Sequence, residues 1–210
     1  MTDHKHNVLF ITNFSGAGGG AEQQLQSLVA GVDKQKFQVT VVSLYYDNFG
    51  TIEVPGAQFI CLNRSGKFDF LPMLKVMRIL RKNHIEIIQP FLSPATLFGI
   101  VPAFLVRTPI KVITERCGLR KNPGWGYKVF CTLEDLFGRR AQVAVANSGA
   151  GQSMLIERGY KPKKTMVIYN GLVTRRLEVD PARVLKIREE TGLKPEQPVV
   201  GIAAWVIPHP

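Results

Sequence analysis

The strongest constraint on the fold of this chain is a glycine-rich loop between a predicted strand and a predicted helix. Val8–Thr12 is an apolar run with the length of a short buried strand, and four glycines follow within residues 16–20. The next apolar residues recur at the spacing of one helix face; they are Ala21, Leu25, Leu28, Val29 and Val32. The stretch therefore predicts a strand, a tight loop and a helix, in that order.

This order of elements can hold a phosphate. Backbone N–H groups at a helix N-terminus and the helix dipole attract anions, and glycine lets a ligand approach the backbone closely. We therefore expect Gly18, Gly19 and Gly20 to donate backbone hydrogen bonds to a phosphate. Glu22 either hydrogen-bonds within the loop or to a sugar, or is a favourable charge in the first helical turn. A flexible turn without a ligand is the alternative.

Strands and helices then alternate at intervals of about 25–30 residues, which favours a Rossmann-like α/β fold, a parallel sheet with helices on both faces. Further strands are predicted at residues 37–43, 58–62, 85–89, 110–114, 142–146 and 165–168. Further helices are predicted at residues 70–82, 95–105, within 126–140, 148–158 and 181–191. Three prolines interrupt the apolar stretch 87–106, which favours a strand, a loop and a buried helix over a membrane span.

The carboxyl edge of the predicted sheet is the expected site. Ligands of such sheets bind beyond the carboxyl ends of the strands, so the polar segments that follow strands are its candidates. These segments are 13–20, 89–93, 115–118, 147–148 and 170–171. They are scattered in sequence, yet this architecture brings them to one edge.

The charge of the chain is uneven. Its net charge is +11, and residues 106–210 carry 18 basic against nine acidic residues, whereas residues 1–105 carry nine against seven. The surplus predicts an anionic partner (nucleic acid, an acidic lipid surface or a phosphorylated substrate), with a merely soluble basic surface as the alternative. The residues before Val8 lack the apolar core of a signal peptide, and three widely spaced cysteines indicate reduced thiols, so we expect a cytoplasmic protein.

The glycine loop also matches a dinucleotide fingerprint. Gly16, Gly18 and Ala21 fit G-x-G-x-x-A, which leaves a dinucleotide-binding oxidoreductase as an alternative function. Two details count against it. The turn before Gly16 is longer than the fingerprint requires, and the second strand ends at Ser43 without an acidic residue to hold a ribose.

Several motifs, taken together and in order, resemble those of family 4 glycosyltransferases of the GT-B fold. The opening strand with its Gly-Gly-Ala-Glu loop resembles the start of these enzymes, and Thr114-Glu115-Arg116 resembles the segment that ends their fifth strand. The remaining similar motifs are Val145–Ser148, Val167–Gly171 and Val200–Ala203. The resemblance covers essentially the whole chain.

The resemblance implies one half of a two-domain enzyme. Residues 1–195 would form the acceptor-side Rossmann-like domain, and residues 196–210 would begin the donor-binding domain. The family moves a hexose from a nucleotide sugar to a glycan or lipid-linked acceptor, as in polysaccharide biosynthesis. It retains anomeric configuration and usually works without a metal or cofactor. The absence of an Asp-x-Asp pair and of a His/Cys cluster in the sequence is consistent with this.

The resemblance also nominates site residues. Arg116 would contact a phosphate or the acceptor hydroxyls and Glu115 would polarise the acceptor, although a structural ion pair is an equal alternative for either. Ser148, Asn170 and Gly171 are further predicted substrate-binding residues. Ser148 also fits a helix cap, and the Asn-Gly pair fits a turn beside the cleft.

The chain departs from the family pattern near its end. Residues 204–210 contain neither the Arg nor the Lys that normally follow the first strand of the second domain. We therefore expect a truncated acceptor-side half that is inactive alone, with a non-catalytic binding remnant as the alternative. Basic residues around Trp125 and Tyr127 predict a peripheral contact with an anionic membrane at its inner face. No nucleic-acid module is recognised, so no nucleic-acid partner is expected.

Overall fold

The structure, a computed structural model, describes residues 4–16, 19–46, 55–66, 68–116, 124–171, 178–194 and 196–200. The chain divides into two compact units, residues 1–171 and residues 172–210. All the described strands lie in the first unit. The domain boundary predicted after residue 195 stays a prediction.

Seven parallel strands form the sheet of the first unit, in the order β3-β2-β1-β4-β5-β6-β7. The strands are β1 His6–Phe14, β2 Phe37–Tyr45, β3 Ala57–Cys61, β4 Ile87–Pro90, β5 Ile110–Glu115, β6 Val143–Ala146 and β7 Thr165–Val167. Each predicted strand in this unit is present. β4 begins two residues later than predicted, because the backbone N–H of Ile85 donates to Leu80 O at the end of the preceding helix.

The described helices match the predicted spans closely. They are α1 Gly20–Gly31, α2 Leu71–Lys82, α3 Ala95–Leu105, α4 Trp125–Gly138, α5 Gly149–Glu157 and α6 Pro181–Glu190, with a short 3₁₀ turn at Pro162–Lys164. The apolar stretch 87–106 is therefore a strand, a loop and a buried helix, as predicted. Over the described residues, no helix combines the length and apolar character needed to cross a bilayer.

Strand alternation divides the core into two layers. Val8 and Phe10 of β1 point to the face covered by α1 and pack with Leu25 and Val29. Leu9 and Ile11 point to the other face, where they join a cluster with residues of α2 and α3. A third cluster joins residues of α3, α4 and α5. One face therefore carries α1 and the other carries α2 to α5, which confirms helices on both faces.

The second unit is described mainly through α6. The Asp180 carboxylate accepts a hydrogen bond from Ala182 N at 3.0 Å, which caps the helix N-terminus. Gly192, with φ of +67°, follows the helix in the left-handed conformation that favours glycine. Of the predicted apolar strand near Val200–Ala203, residues 201–203 lie outside the described residues.

Candidate functional site

The carboxyl edge of the sheet brings together the first turns of α1 and the segments that follow β5 and β7. Arg116, which follows β5, donates from Nη1 to Asn170 Oδ1 at 2.5 Å. The neighbouring Gly171 O accepts a hydrogen bond from Gln24 Nε2 of α1 at 2.9 Å. The segment after β7 is therefore joined both to the end of β5 and to the first turns of α1. We call these residues, together with the start of α1, the carboxyl-edge cluster; its members are Gly19, Gly20, Gln24, Arg116, Asn170 and Gly171.

The glycine loop ends on a buried carboxylate. Glu22 is only 4% exposed. Its Oε1 accepts a long hydrogen bond of 3.5 Å from Thr12 Oγ1 of β1. A Cβ atom on Gly19 would lie 2.3 Å from Glu22 Oε2, so this carboxylate occupies the space that a side chain at position 19 would need. Glu22 thus lies against Gly19 and in the first turn of α1, and the choice between its predicted roles stays a prediction.

The first turn of α1 presents backbone donors at this edge. Gly19 is the N-cap and has no side chain to cap the helix, and α1 begins at Gly20. The first N–H groups of any α-helix have no acceptor within the helix. Anion binding by Gly19 and Gly20 stays a prediction, and an anion at Gly19 would lie beside the Glu22 carboxylate. Gly18 lies outside the described residues.

Arg116 is a partly buried cation without a carboxylate contact in the described part of the chain. Its guanidinium carbon lies 4.8 Å from the centroid of the Phe91 ring, and its Nε atom is buried without a hydrogen-bond partner among the described residues. Desolvation by burial lowers the pKa of this guanidinium from its usual value. A buried N–H donor without an acceptor is costly, and an anion bound here would supply that acceptor.

Glu115 points the other way. Strand alternation sends it to the face of α4 and α5, where Arg158 Nη1 donates to Glu115 Oε2. The same guanidinium binds Asp135 through Nε at 3.1 Å and through Nη2 at 2.5 Å. Burial alone would lower the pKa of Arg158, but the hydrogen bonds and charge of Asp135, helped by Tyr160 and Glu115, outweigh it and raise the pKa.

This network is largely removed from water. The side chains of Arg158, Glu115 and Asp135 are 17%, 11% and 13% exposed. Glu115 therefore forms the ion pair that the sequence left open as its alternative role. Its predicted part in catalysis stays a prediction.

Ser148 caps a helix. Its Oγ accepts a hydrogen bond from Gly151 N at 3.1 Å, at the N-terminus of α5. No contact described in the structure joins Ser148 to Arg116 or to α1. Of the predicted substrate-binding residues, Asn170 and Gly171 thus join the carboxyl-edge cluster, while Ser148 has a local structural role.

Two further side chains hold the site together: Asn13, which lies in the predicted candidate segment 13–20, and Gln24, which sequence reasoning missed. Asn13 Oδ1 accepts from Ala95 N at 3.0 Å, and Asn13 Nδ2 donates to Ser93 O at 2.8 Å, so the end of β1 fastens the loop before α3. Gln24 joins α1 to Gly171, a residue 147 positions away. Nothing in the local pattern marks Gln24, but Asn13 stands directly after the predicted first strand, where polar residues approach ligands and loops.

A family model for Glycosyltransferase Family 4 matches residues 18–176. The chain belongs to this family. The matched residues extend from the end of the glycine loop through α1 and strands β2 to β7 to the Asn170–Gly171 segment. Family membership thus rests on the part of the chain that contains the carboxyl-edge cluster.

Solved structures agree in fold. The structure of Anabaena Alr3699/HepE in complex with UDP has a TM-score of 0.69 and 23% identity, covering 89% of this chain and 50% of that chain. A glycosyltransferase from Rickettsia africae has a TM-score of 0.61 and 18% identity, covering 92% and 51%. A UDP-N-acetylglucosamine 2-epimerase from Rickettsia bellii has a TM-score of 0.61 and 16% identity, covering 92% and 53%.

These likenesses confirm the fold class, a Rossmann-like α/β unit of the kind that forms one half of a GT-B glycosyltransferase. The chain spans about half the length of the solved structures it matches. No curated protein matches the sequence.

Proposed function

We propose that this chain is the acceptor-side half of a retaining hexosyltransferase. The intact enzyme moves a sugar from a nucleotide sugar to a glycan or lipid-linked acceptor, and this half alone has little or no activity. Family membership supports the transferase class. The main support for the site is that Arg116 Nε is buried and has no hydrogen-bond partner among the described residues. Arg116 is hydrogen-bonded to Asn170, and the adjacent Gly171 is hydrogen-bonded to α1.

The proposed role of the carboxyl-edge cluster is to hold the diphosphate of the donor. Negative charge accumulates on the diphosphate as its bond to the sugar breaks, and preorganised donors stabilise that charge. The N–H groups at Gly19 and Gly20 supply dipoles, and the Arg116 guanidinium supplies a full charge. These groups would stabilise part of the negative charge, and the reaction that we propose is metal-independent.

The test is a calorimetric titration of the full chain with UDP-glucose and with NADH. We expect weak UDP-glucose binding, because much of the donor pocket would lie in the other half, and Arg116→Met should weaken it by about tenfold or more through the loss of a charge-assisted hydrogen bond. The matched control is Arg183→Met, at an exposed position of α6. Tight NADH binding would favour the dinucleotide-binding alternative and overturn the proposal.

We also propose that the chain contacts an anionic membrane surface through the outer face of α2, α3 and α4. On α4 the exposed apolar residues recur on one stripe; they are Trp125, Val129, Leu133 and Leu136. Leu71 and Leu74 of α2 and Leu105 of α3 are exposed on the same side of the sheet. Lipid-linked acceptors would reach the enzyme at such a surface.

The charge of this face is one-sided. Its exposed basic residues are Lys75, Arg78, Arg81, Lys82, Lys128, Arg139 and Arg140. The structure describes every residue of α2, α3 and α4, and none of them is an exposed carboxylate, because Glu134 is buried and Asp135 is paired with Arg158. An apolar stripe flanked by cations is the pattern of helices that lie on anionic bilayers.

Vesicle flotation tests this surface. We expect the chain to bind phosphatidylcholine vesicles that contain phosphatidylglycerol, and to bind pure phosphatidylcholine weakly. Leu133→Glu should reduce binding about tenfold. Its matched control is Leu28→Glu on α1, on the opposite face of the sheet, where the exposed fraction is 38% against 40% for Leu133. Equal losses in both variants, or equal binding to both kinds of vesicle, would contradict the membrane surface.

A further inference from the structure

Two histidines and a glutamate meet at the amino edge of the sheet, opposite the carboxyl-edge cluster. His4 precedes β1, His6 begins it, and Glu86 immediately precedes β4. Their ligand atoms, one from each side chain, all lie within 4.8 Å of one another. We propose that His4, His6 and Glu86 bind a divalent transition metal ion of the Zn²⁺ class.

The backbone places the three side chains together. His4 and His6 are two residues apart on an extended segment, so their side chains leave it on the same side. Glu86 N donates to Asn7 O at 2.9 Å, and Ile110 N donates to Glu86 O at 2.9 Å, which fixes the glutamate between β1 and β5. His6 N donates to Lys36 O at 2.8 Å. Both His6 and Glu86 are therefore held by the sheet and its borders.

The three ligand atoms can reach a common metal ion if the histidine side chains rotate. His4 Nε2 lies 3.0 Å from Glu86 Oε1, and His6 Nδ1 lies 2.8 Å from Glu86 Oε2. A tetrahedral zinc ion with bonds of about 2.0–2.1 Å holds its ligand atoms about 3.3 Å apart. These two nitrogen–oxygen separations, which involve different oxygens of Glu86, need to open by a few tenths of an ångström. The widest separation among the three ligand atoms, at most 4.8 Å, needs to close by up to about 1.5 Å, which rotation of the exposed histidine side chains can supply.

The chemistry of the three groups fits the same class of ion. Two imidazoles and one carboxylate are a known donor set for zinc. The His4 and His6 side chains are 64% and 50% exposed, so an ion can enter from solvent.

The site is separate from the proposed transfer reaction. β1 runs nine residues from His6 to Phe14, and a strand of that length spans about 30 Å at about 3.3 Å per residue. A metal at the amino edge would join the beginning of β1 to the beginning of β4. Its effect is on the stability of the sheet and not on the donor diphosphate.

Calorimetric titration of the untagged full chain with ZnCl₂ tests the inference. We expect saturable binding of one ion per chain with a dissociation constant in the micromolar range. His6→Ala and the isosteric Glu86→Gln should each weaken binding at least tenfold. The control is His84→Asn, since His84 has a φ of +46° that asparagine tolerates and its side chain lies outside the group of three.

Two further measurements make the outcome decisive. Zinc should raise the unfolding temperature of the wild-type chain but not that of Glu86→Gln, and Co²⁺ should give the visible absorption of a low-symmetry site only in the wild type. The proposal would be wrong if zinc binding did not saturate, or if His84→Asn and Glu86→Gln lost zinc affinity equally. The three side chains would then form only hydrogen bonds with one another. UDP-glucose binding should be the same in Glu86→Gln as in the wild type, so this result is independent of the proposed function.

Discussion

Two neighbouring residues at the end of β5 have different surroundings because a strand alternates its side chains. Glu115 points to α4 and α5, where a buried arginine neutralises it. Arg116 points to the face of α1, where it meets Phe91 and Asn170. The sequence predicted both residues at the candidate edge of the sheet. Because successive side chains of a strand point to opposite faces, Glu115 forms an internal ion pair whereas Arg116 lies at the site.

The Arg158 network gives a stability prediction. Arg158→Met should lower the free energy of unfolding by about 3 kcal/mol or more, because it leaves Glu115 and Asp135 buried without their cation. Urea unfolding followed by circular dichroism measures the change. Lys36→Met, which breaks the exposed pair with Asp33, serves as the control and should have little effect. If the urea midpoint of Arg158→Met equals that of the wild type, water reaches these carboxylates.

The two glycines at the start of α1 should respond differently to alanine. Gly19→Ala places a methyl group against the Glu22 carboxylate and should lower the free energy of unfolding by about 1–3 kcal/mol. A Cβ on Gly20 has no heavy atom within 4 Å outside its own helix, so Gly20→Ala should be neutral or stabilising by up to about 1 kcal/mol. Thermal unfolding of the two variants compares them directly. If both lose the same stability, the carboxylate does not occupy that space.

At the scale of elements, the sheet edge is assembled by loops and helix ends that come from distant parts of the chain. The end of β1 holds the loop before α3 through Asn13, and α1 holds the segment after β7 through Gln24. Helix α5 begins at Gly149, two residues after Asn147, which follows β6, and its cap is made by the hydroxyl of Ser148. Each contact fixes where one element begins or ends relative to the carboxyl edge.

Ser148→Ala distinguishes a cap from a substrate contact. Losing an N-cap hydroxyl costs about 1 kcal/mol of stability, so we expect the urea midpoint to fall in this variant while Ser148→Asp, which keeps a capping oxygen, restores most of it. The UDP-glucose dissociation constant is measured on the same samples. A raised dissociation constant at unchanged stability would instead support the substrate role predicted from the sequence.

At the scale of the whole molecule, the strands of the described fold all lie in residues 1–171. The hydrophobic clusters on both sheet faces are built from residues of this unit. A unit with its own core can in principle fold alone. The basic and apolar outer face of α2 to α4 belongs to the same unit.

A fragment of residues 1–171 should therefore fold independently. We expect one cooperative urea transition and a circular dichroism spectrum of a mixed α/β protein. It should also bind phosphatidylglycerol vesicles as the full chain does. A fragment that shows a broad, non-cooperative transition would mean that residues 172–210 are needed to complete the fold.

Much of the fold could be predicted from the sequence, because buried parallel strands are continuous apolar runs and are separated by helices of recognisable period. The glycine loop, the span of α3 and the Ser148 cap all follow from such local patterns. The contacts of the site could not be predicted in this way. Arg158 lies 43 residues from Glu115, and Gln24 lies 147 residues from Gly171, so only the folded chain shows these partners.

The opposite directions of Glu115 and Arg116 also matter for protein engineering. A one-residue insertion or deletion within β5 would exchange the faces of the side chains that follow it. The arginine would then meet Arg158, and the glutamate would face the edge proposed to hold a diphosphate. Chimaeras made by recombining this chain with a related sequence should therefore keep β5 and residue 116 together from a single parent.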